Sequence, residues 1–344
     1  MSSKSFSISI NKKIPSFKKI IKVDSDKSIS IRSLLIGAIS NNVSCIKNIL
    51  ESEDVKSTLA CLKKLGVKIS KKKGIYFVKG KGLGSLFAKK NTTLNFGNSG
   101  TLARLMIGIL SSIPSIELNL DGDHSLRKRS MKKLFNIMAN FGVFFKPKDK
   151  YHLPIKIVSS PMPIGINYKA GISAQLKSAV MLAGLNSFGV TKIYENIMSR
   201  DHTERMLMNN KKVIKIKKRN NNKVIEINGK KELNHLKIKI CGDPSSAAFF
   251  CALATIKKGS YLKILNVGIN STRVGFYQLL SKFGAKIKFI NSKIENNEIF
   301  ADIIIYHSKL KPLKASREYY VKATDEYPIL FVIAALTKGV SIFK

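Results

Sequence analysis

The sequence has no tryptophan and only four cysteines among its 344 residues. Cys45, Cys61, Cys241 and Cys251 form no C-x-x-C pair, and no histidine lies near them at the spacing of metal ligands. This spacing gives no sign of a disulfide framework or of a cysteine-based metal site. We therefore expect neutral thiols that are mostly buried.

Long hydrophobic runs are also missing. No stretch approaches the roughly eighteen apolar residues that would span a membrane, and the longest apolar run near the end covers only residues 329–336. The N-terminal segment SSKSFSISINKK has no apolar signal-peptide core. We expect a soluble, cytoplasmic protein with no membrane partner.

Acidic residues are scarce: 21 Asp and Glu face 61 Lys and Arg, for a formal net charge of +40. An anionic partner such as RNA is one interpretation, which would make the chain a basic RNA-binding repeat protein. The lysines, however, are scattered rather than gathered beside aromatic residues, as expected for surface solvation. Only nine basic residues are arginine, and seven of them fall in the motifs described below. Arginine at those positions indicates bidentate recognition of anions.

A helix-like segment that ends in a glycine-centred turn and runs into a short strand recurs along the chain. The turn positions are Gly66, Gly142, Asn210 and Gly284, which are 76, 68 and 74 residues apart. Apolar residues at i, i+3 and i+4 predict one buried helical face before each turn. Glycine or asparagine at the turn predicts a left-handed helix C-cap.

A second type of helix is predicted over 28–40, 101–113, 174–186 and 245–256, where the sequence is apolar nearly all round. Helices of this kind are expected to be buried within a domain. Each is preceded by a small polar turn, and helix N-termini offer free N–H groups and a positive dipole end. Ser and Asp are common N-caps, but several such ends converging would form an anion site.

Seven segments of the chain resemble, in order, the motifs of the 5-enolpyruvylshikimate-3-phosphate synthase family, and the resemblance extends from about residue 10 to residue 344. The segments are VDSDKSISIR (23–32), FGNSGTLARLM (96–106), DGDHSLRKRSM (121–131), ISAQLKSAVMLAGLN (172–186), SRDHTERML (199–207), GDPSSAAFF (242–250) and TDEYPIL (324–330).

The resemblance implies an α+β fold, the enolpyruvyl transferase fold, with two domains built from βαβαββ repeats as an inside-out α/β barrel. The chain would start in one domain, build the other and return. We therefore expect residues 22–239 to form a complete domain of three repeats. Residues 1–21 and 240–344 would form a second domain that is incomplete at its C-terminus, with the last repeat unfinished.

The resemblance also implies a reaction of aromatic amino-acid biosynthesis. The enolpyruvyl group of phosphoenolpyruvate is transferred to the 5-hydroxyl of shikimate 3-phosphate, and phosphate is released. Both substrates are phosphorylated carboxylates, so the site must hold at least four anionic groups. The resemblance implies no metal, no organic cofactor and no nucleic-acid partner, and we expect a monomer.

Several residues match family positions that bind shikimate 3-phosphate. Lys27 would touch both substrates, Ser28 and Arg32 would hold the shikimate carboxylate and hydroxyl, and Arg200 would complete the phosphate clamp. Asp325 would be the general base for the 5-hydroxyl, because a carboxylate can accept that proton and return one later. Two alternatives stay open: Arg200 could pair with the nearby acids at 201 or 204, and the base could be the neighbour at 326.

The N-terminus of the predicted helix at 174–186 would meet the 3-phosphate and the shikimate ring. Ser173 and Gln175 would use their side chains, whereas Ala174 can offer only its backbone. Gln175 would also contact phosphoenolpyruvate. Asn270 and Arg273 match a further family motif, for which we expect a structural or hinge role.

The remaining matches concern phosphoenolpyruvate. Asn98, Gly100 and Thr101 would form the loop beside it, with Gly100 allowing close approach of the backbone. Arg129 is the preferred arginine for this substrate, with Arg127 as the alternative. The family usually has proline after the preferred arginine, where this chain has serine at 130.

The family continues beyond the motif at 324–330 with a segment that supplies a catalytic Glu/Lys pair and further contacts to phosphoenolpyruvate. Because this sequence stops at Lys344, we expect weak binding of shikimate 3-phosphate and poor or absent turnover. Two interpretations are open: a fragment of a full enzyme, or an inactive remnant truncated in a decaying gene.

Overall fold

The structure is a computed structural model that describes residues 7–9, 11–219 and 222–344. Its helices are α1 (Lys27–Ile39), α2 (Glu53–Lys64), α3 (Gly100–Ser111), α4 (His124–Arg127), α5 (Lys132–Ala139), α6 (Ala174–Leu185), α7 (His202–Leu207), α8 (Pro244–Ile256), α9 (Gly275–Lys282), α10 (Arg317–Ala323) and α11 (Tyr327–Ala335). A short 3₁₀ turn, Thr324–Glu326, joins α10 to α11.

The strands of the first two thirds of the chain are β1 (Lys18–Lys22), β2 (Val43–Lys47), β3 (Lys68–Lys72), β4 (Ile75–Lys79), β5 (Thr93–Asn95), β6 (Glu117–Asp121), β7 (Phe144–Lys146), β8 (Ile155–Val158), β9 (Asn167–Ala170), β10 (Val190–Glu195), β11 (Ile214–Arg219), β12 (Asn222–Asn228) and β13 (Lys237–Lys239). The later strands are β14 (Tyr261–Gly268), β15 (Lys286–Glu295), β16 (Glu298–Tyr306), β17 (Lys314–Ala315) and β18 (Ile342–Phe343).

Four of the sheets have four strands each and share one pattern, in which a parallel pair is extended by two antiparallel strands. Their orders are β13-β2-β4-β3, β5-β6-β8-β7, β9-β10-β12-β11 and β1-β14-β16-β15. The segment from β9 to β12 reads βαβαββ along the chain, and the segment from β5 to β8 differs from it only by the additional short helix α4. The repeat seen in the sequence therefore corresponds to one recurring unit. A parallel pair, β17 and β18, forms a smaller fifth sheet.

Two strands are exchanged between units. β1 leads directly into α1, yet it pairs in parallel with β14, far along the chain. β13 leads into α8, yet it pairs in parallel with β2. Domain boundaries near residues 22 and 239 would require such an exchange. The boundaries stay a prediction, and part of segment 1–21 lies outside the described residues.

The buried apolar side chains form two separate cores. One runs through buried residues from Ile29 to Cys241, and the other through buried residues from Ala247 to Ile333. Cys61, Cys241 and Cys251 are buried in these cores and Cys45 is half-buried, all four as free thiols. Burial raises the pKa of the Cys61 thiol to about 12. The expectation of neutral thiols is thus met at Cys61.

Three of the four predicted glycine turns are confirmed. Gly66, Gly142 and Gly284 have positive φ angles of 79°, 85° and 106° at the ends of α2, α5 and α9. The fourth prediction is wrong, because Asn210 does not adopt the left-handed conformation. Its amide oxygen instead accepts the backbone N–H of Asn234 at 2.9 Å. The asparagine is used here for its side chain.

The predicted apolar helices are α1, α3, α6 and α8, and the first three are buried on almost every face. The prediction of full burial is wrong for α8, where Phe249 and Phe250 are 51% and 46% exposed and Leu253 is 36% exposed. This helix packs one face on β14 and β16. In the described part of the chain, no helix combines the length and apolar character needed to cross a membrane.

Candidate functional site

Helices α1, α3 and α6 begin at a common cleft of about 160 Å³. Each begins at a polar N-cap: Asp26, Ser99 and Ser173 accept the backbone N–H groups of residues 29, 102 and 176. Larger cavities of about 790 and 530 Å³ are also present, but the small cleft is the one lined by most of the site residues predicted from the sequence. Its lining residues are Ser28, Arg32, Thr101, Ile172, Ala174, Gln175, Arg200, His202, Tyr320, Val321, Thr324 and Asp325.

Arg32 is the most deeply buried cation of this cleft, with 4% of its surface exposed. Its guanidinium donates to the Thr203 hydroxyl at 3.0 Å, the Ser28 carbonyl at 3.1 Å and the Ser178 hydroxyl at 3.4 Å. All three acceptors are neutral, and burial lowers the pKa of Arg32 to about 10. The nearby carboxylates of Asp26 and Glu204 raise this pKa but do not offset burial, and a buried charge that is only partly balanced is costly. An anion entering the cleft would supply a closer counter-charge.

Arg200 also lines the cleft and joins distant parts of the chain. Its guanidinium donates to Asp325 Oδ2 at 2.6 Å, across 125 residues of sequence. The alternative expected from sequence, pairing with the neighbouring acids, is therefore not what the structure has. Asp201 is instead bound by Arg205 at 2.9 Å and Asn270 at 2.6 Å. Arg200 and Asp325 are both accessible from the cleft.

Asp325 and Glu326 occupy different environments, although they are adjacent. Asp325 faces the cleft with about half of its side chain exposed. Glu326 is buried, and its Oε1 accepts the hydroxyl of Ser245 on α8. Burial raises the pKa of Glu326 above its ordinary value. Of the two carboxylates, only Asp325 lines the cleft.

Two further lining residues come from the first turns of α3 and α6. Gln175 Nε2 donates to the Thr101 hydroxyl at 3.1 Å and so connects α6 to α3. Lys27 does not line the cleft, since its ammonium lies 3.4 Å from Asp54 at the start of α2. Its side chain is about half exposed. A rotation of this flexible side chain would be enough to direct the ammonium elsewhere.

Apart from Thr101, the predicted phosphoenolpyruvate loop lies beside the cleft rather than on its lining. Arg129 Nη2 donates to Asn98 Oδ1 at 2.8 Å, and a Cβ placed on Gly100 would lie 3.2 Å from Arg129 Nη1. Arg127 points to a different partner, because it binds Asp121 through two hydrogen bonds of 2.8 and 2.6 Å. Arg129, but not Arg127, is therefore next to Asn98 and Gly100.

A second cavity adjoins this loop. It is lined by Arg104, Ser130 and Ser173, among others. Ser173 thus lies on the neighbouring cavity and not on the cleft, and its hydroxyl caps α6 at 3.4 Å. Ser130, where the family usually has proline, accepts the backbone N–H of Lys132 at the start of α5. Seven of the thirteen predicted site residues line the cleft; those that do not are Lys27, Asn98, Gly100, Arg127, Arg129 and Ser173.

Five lining residues were not predicted from the sequence: Ile172, His202, Tyr320, Val321 and Thr324. Each is a near neighbour of a predicted residue. Tyr320 and Thr324 precede Asp325 by one helical turn and by one residue, and His202 follows Arg200 by two. Proximity to a predicted side chain on a helix or turn is the signal that could have identified them.

A buried polar network lies behind the cleft. Arg273 donates to Asp26 and Asp243, each at 3.2 Å, and to the Ser245 hydroxyl at 2.9 Å. Those acceptors belong to the N-termini of α1 and α8. His202 Nδ1 lies 2.7 Å from Glu298 on β16. Across residues 7–9, 11–219 and 222–344, no three His, Cys, Asp or Glu side chains cluster so as to hold a metal ion.

Comparison with known proteins gives one consistent result. The family model for EPSP synthase (3-phosphoshikimate 1-carboxyvinyltransferase) matches residues 12–344. The 3-phosphoshikimate 1-carboxyvinyltransferase of Zymomonas mobilis is 36% identical over 337 residues, covering 97% of this chain and 74% of that relative. The one from a Sulfurihydrogenibium species is 38% identical, covering 96% and 77%.

Solved structures agree with this result. The EPSP synthase of Acinetobacter baumannii has a TM-score of 0.83 and 35% identity, covering 95% of this chain and 73% of that one. The enolpyruvyl transferase NikO of Streptomyces tendae has a TM-score of 0.68 at 13% identity, a likeness of fold alone. These likenesses confirm the α+β enolpyruvyl transferase fold expected from the sequence. The chain belongs to the EPSP synthase (3-phosphoshikimate 1-carboxyvinyltransferase) family.

Proposed function

We propose that this chain transfers the enolpyruvyl group of phosphoenolpyruvate to the 5-hydroxyl of shikimate 3-phosphate and releases phosphate. Family membership supports this reaction, which belongs to the shikimate pathway. It gives no support to the alternative of a basic RNA-binding repeat protein. The observation that carries the assignment to this site is the cleft itself, where Arg32 and Arg200 stand beside helix N-termini and a single carboxylate.

We assign shikimate 3-phosphate to the cleft. The buried guanidinium of Arg32 has only neutral partners, and a carboxylate or phosphate would balance its charge. Ser28 and Gln175 would bind the hydroxyl groups of the ring. The free N–H groups at the start of α6, which include that of Ala174, and the Ser173 hydroxyl would meet the 3-phosphate.

Arg200 completes this assignment and links binding to chemistry. In the structure it binds Asp325. A phosphate group competes for the same guanidinium, because Arg–phosphate pairs form strong bidentate hydrogen bonds. Phosphate binding at Arg200 would then free Asp325 Oδ2 to accept a proton from the substrate.

Phosphoenolpyruvate is assigned to the loop beside the cleft. Arg129 and Asn98 already contact each other. Gly100 has no side chain, which leaves room for the Arg129 guanidinium beside it. Thr101 and Gln175 border both substrates. Arg127 is not part of this assignment, because Asp121 already binds it through two hydrogen bonds.

The chemistry follows from these positions. A proton adds to the methylene carbon of phosphoenolpyruvate, and the 5-hydroxyl oxygen attacks the adjacent cationic carbon. Asp325 takes the hydroxyl proton as general base. The resulting tetrahedral intermediate loses a methyl proton and breaks its C–O bond to phosphate, which restores the enol ether and releases phosphate. The Lys27 ammonium, at the start of α1, would neutralise charge at the bridging oxygen.

Phosphate release tests this function directly. We expect inorganic phosphate to appear only when both substrates are present, and not when shikimate replaces shikimate 3-phosphate as the matched control. Asp325→Asn should lower the rate by about 100-fold or more, since general-base catalysis typically contributes that much. Glu318→Gln, an exposed acid on the neighbouring α10, should leave the rate unchanged. Absence of phosphate release from a chain that binds shikimate 3-phosphate would refute transfer by this chain and would match the expectation of absent turnover.

The oligomeric state and the cellular location are two further proposals. We propose, from the family resemblance alone, that the chain acts as a monomer. We propose a cytoplasmic location, which the four free cysteines support, since disulfides are rare in that compartment.

A further inference from the structure

Four charged side chains form a buried cluster beneath the Arg200 wall of the cleft. Lys177 Nζ lies 2.7 Å from Glu195 and 2.7 Å from Glu204, and Lys223 Nζ lies 3.3 and 3.0 Å from the same two residues. The side chains of Lys177 and Glu195 are 0% exposed. Two positive and two negative charges balance, which is the condition under which buried charges are tolerated.

The cluster holds the loop that leads to Arg200. Glu195 Oε1 accepts the backbone N–H of Ser199 at 2.9 Å and its hydroxyl at 2.8 Å. Lys177 Nζ binds the same Oε1 at 2.7 Å and lies 3.5 Å from the Ser199 carbonyl. Every polar group of Ser199 is therefore bound to Glu195 or Lys177. Arg200 is the next residue, so its backbone is anchored at this point.

Lys177 also connects to the side of the cleft that is formed by α6. It belongs to α6, one turn after the cleft residues Ala174 and Gln175. Its ammonium therefore connects the first turn of α6 to the loop that carries Arg200. Lys223, by contrast, comes from β12, and among the described residues its ammonium forms ion pairs with the two carboxylates of the cluster.

We propose that Lys177 is a positioning residue that sets the distance between Arg200 and the N-terminus of α6. On the function proposed above, these two elements grip the 3-phosphate of shikimate 3-phosphate from opposite sides. Lys177 does not touch the substrate, because its side chain is fully buried and does not line the cleft. It acts through Arg200, so its removal weakens binding of the 3-phosphate.

The charged side chains of the cluster favour a positioning role for Lys177 over a purely structural role in the core. A buried ion pair is a poor source of stability, because well-packed apolar residues of similar volume often serve as well. Burial would raise the pKa of Glu195, but Lys177 and the Ser199 hydrogen bond outweigh burial and keep it below its ordinary value. Glu195 is thus held as a carboxylate, the form that can accept three hydrogen bonds from the loop and from Lys177.

A double-mutant cycle tests the proposal. The dissociation constant of shikimate 3-phosphate would be measured by calorimetry for the unaltered chain, Lys177→Met, Arg200→Ala and the combination. Lys177→Met should weaken binding on the order of tenfold, a typical effect for coupled neighbours. In the Arg200→Ala background the same change should alter the constant less than about twofold, because the group through which Lys177 acts is gone.

Lys223→Met is the matched control. It removes the other lysine of the cluster and lowers the melting temperature, but it leaves Ser199 and α6 connected, so the affinity should stay within about twofold. If Lys177→Met fails to fold, the charge-balanced Lys177→Met/Glu204→Gln chain replaces it, with Glu204→Gln alone as its reference.

Equal weakening by the two lysine variants, or an undiminished effect of Lys177→Met in the Arg200→Ala background, would overturn the positioning role. Those results would leave the proposed function intact, because the unaltered chain would still bind shikimate 3-phosphate. Absence of binding by the unaltered chain would instead contradict the proposed function itself.

Discussion

Arg32, Arg200 and Lys177 are three cations near one cleft, and they differ in what balances their charge. Lys177 has two buried carboxylates, and Arg200 has the half-exposed Asp325. Arg32 has only neutral hydrogen-bond acceptors. The cation whose charge is least balanced is the one that gains most from an anionic ligand. Arg32 is therefore the residue on which we expect binding to depend most.

The choice between Arg129 and Arg127 gives a prediction at the scale of single residues. Arg129→Ala should raise the KM for phosphoenolpyruvate about 10- to 100-fold, the range expected when a hydrogen bond to a charged group is lost. Arg127→Ala should change it less than about threefold, because its two hydrogen bonds go to Asp121 and exposed pairs of this kind contribute little. The measurement is phosphate release at saturating shikimate 3-phosphate.

A larger increase in the KM for phosphoenolpyruvate from Arg127→Ala than from Arg129→Ala would reverse the assignment. The melting temperatures of both variants serve as controls, since each arginine is at the surface and neither change should unfold the chain.

The sequence predicted site residues where a motif surrounds them, and failed where partners are distant. Arg32, Arg200 and Asp325 were identified from their motifs, but the bond between Arg200 and Asp325 spans 125 residues and has no local signal. Lys177 was not among the residues predicted from the sequence. Its position within a largely apolar helix is the signal that could have identified it, because a lysine there is expected to be buried and paired.

At the scale of elements, the site depends on where helices begin. The first turns of α1, α3 and α6 face the cleft, and α3 and α6 pack closely because Gly108 carries no side chain. Two glycines on α3 therefore have different functions. Gly100 leaves room for arginine side chains, whereas Gly108 leaves room for the backbone of α6.

Alanine at these two glycines should separate binding from stability. A Cβ at Gly100 would lie 2.7 Å from Arg104 Nη1 and 3.2 Å from Arg129 Nη1. Because both neighbours are ends of flexible side chains, Gly100→Ala should change unfolding free energy by less than about 1 kcal/mol. Displacement of Arg129 should weaken phosphoenolpyruvate binding on the order of tenfold.

Gly108→Ala should show the opposite behaviour. Its Cβ would lie 2.5 Å from the Ala179 carbonyl oxygen, and backbone cannot move aside as a side chain can. We expect a loss of about 1–3 kcal/mol in unfolding free energy, measured by urea denaturation. The loss from this clash is larger than the stabilisation of up to about 1 kcal/mol that replacing glycine by alanine gives in a helix interior. Equal stability losses at the two sites would contradict this account.

Periodicity and turn residues predicted most elements, because a helix face and a glycine turn are local properties. The four apolar helices and three of the glycine turns were predicted correctly. The exposed face of α8 was not predicted, since burial depends on which other elements cover a helix. Asn210 was mistaken for a left-handed cap, because asparagine can use either its backbone or its side chain at such a turn.

At the scale of the whole molecule, polar groups connect the two cores. Arg200 binds Asp325, Asn270 binds Asp201, and His202 contacts Glu298. The Arg205 guanidinium also contacts the carbonyl of Asn297. Such contacts are directional and can be exchanged for bonds to a ligand, unlike apolar packing. The connection between cores is therefore where substrate and pH should act.

The ionisation of Asp201 should make the stability of this connection depend on pH. Burial would raise its pKa, but the hydrogen bonds from Arg205 and Asn270 outweigh burial and place the pKa below its ordinary value. A group whose folded pKa is depressed stabilises the fold above its unfolded pKa, about 3.9, and loses this contribution as pH falls through the folded value. Asp201→Asn should thus cost about 1–3 kcal/mol at pH 7.

The difference between Asp201→Asn and the unaltered chain should shrink as pH falls below about 4. Urea denaturation at a series of pH values measures it, and Asp149→Asn, an exposed acid, is the control. A difference that is constant down to the acid transition would show that charge at Asp201 does not stabilise the connection.

The most direct test of the central claim is a calorimetric titration of shikimate 3-phosphate into the unaltered chain, Arg32→Lys and Arg32→Met. We predict binding to the unaltered chain, partial retention in Arg32→Lys, which keeps the charge but not the fork of donors, and a loss of about 10-fold or more in Arg32→Met. Binding that is unaffected by Arg32→Met, or no binding to the unaltered chain, would contradict the claim that this cleft holds shikimate 3-phosphate.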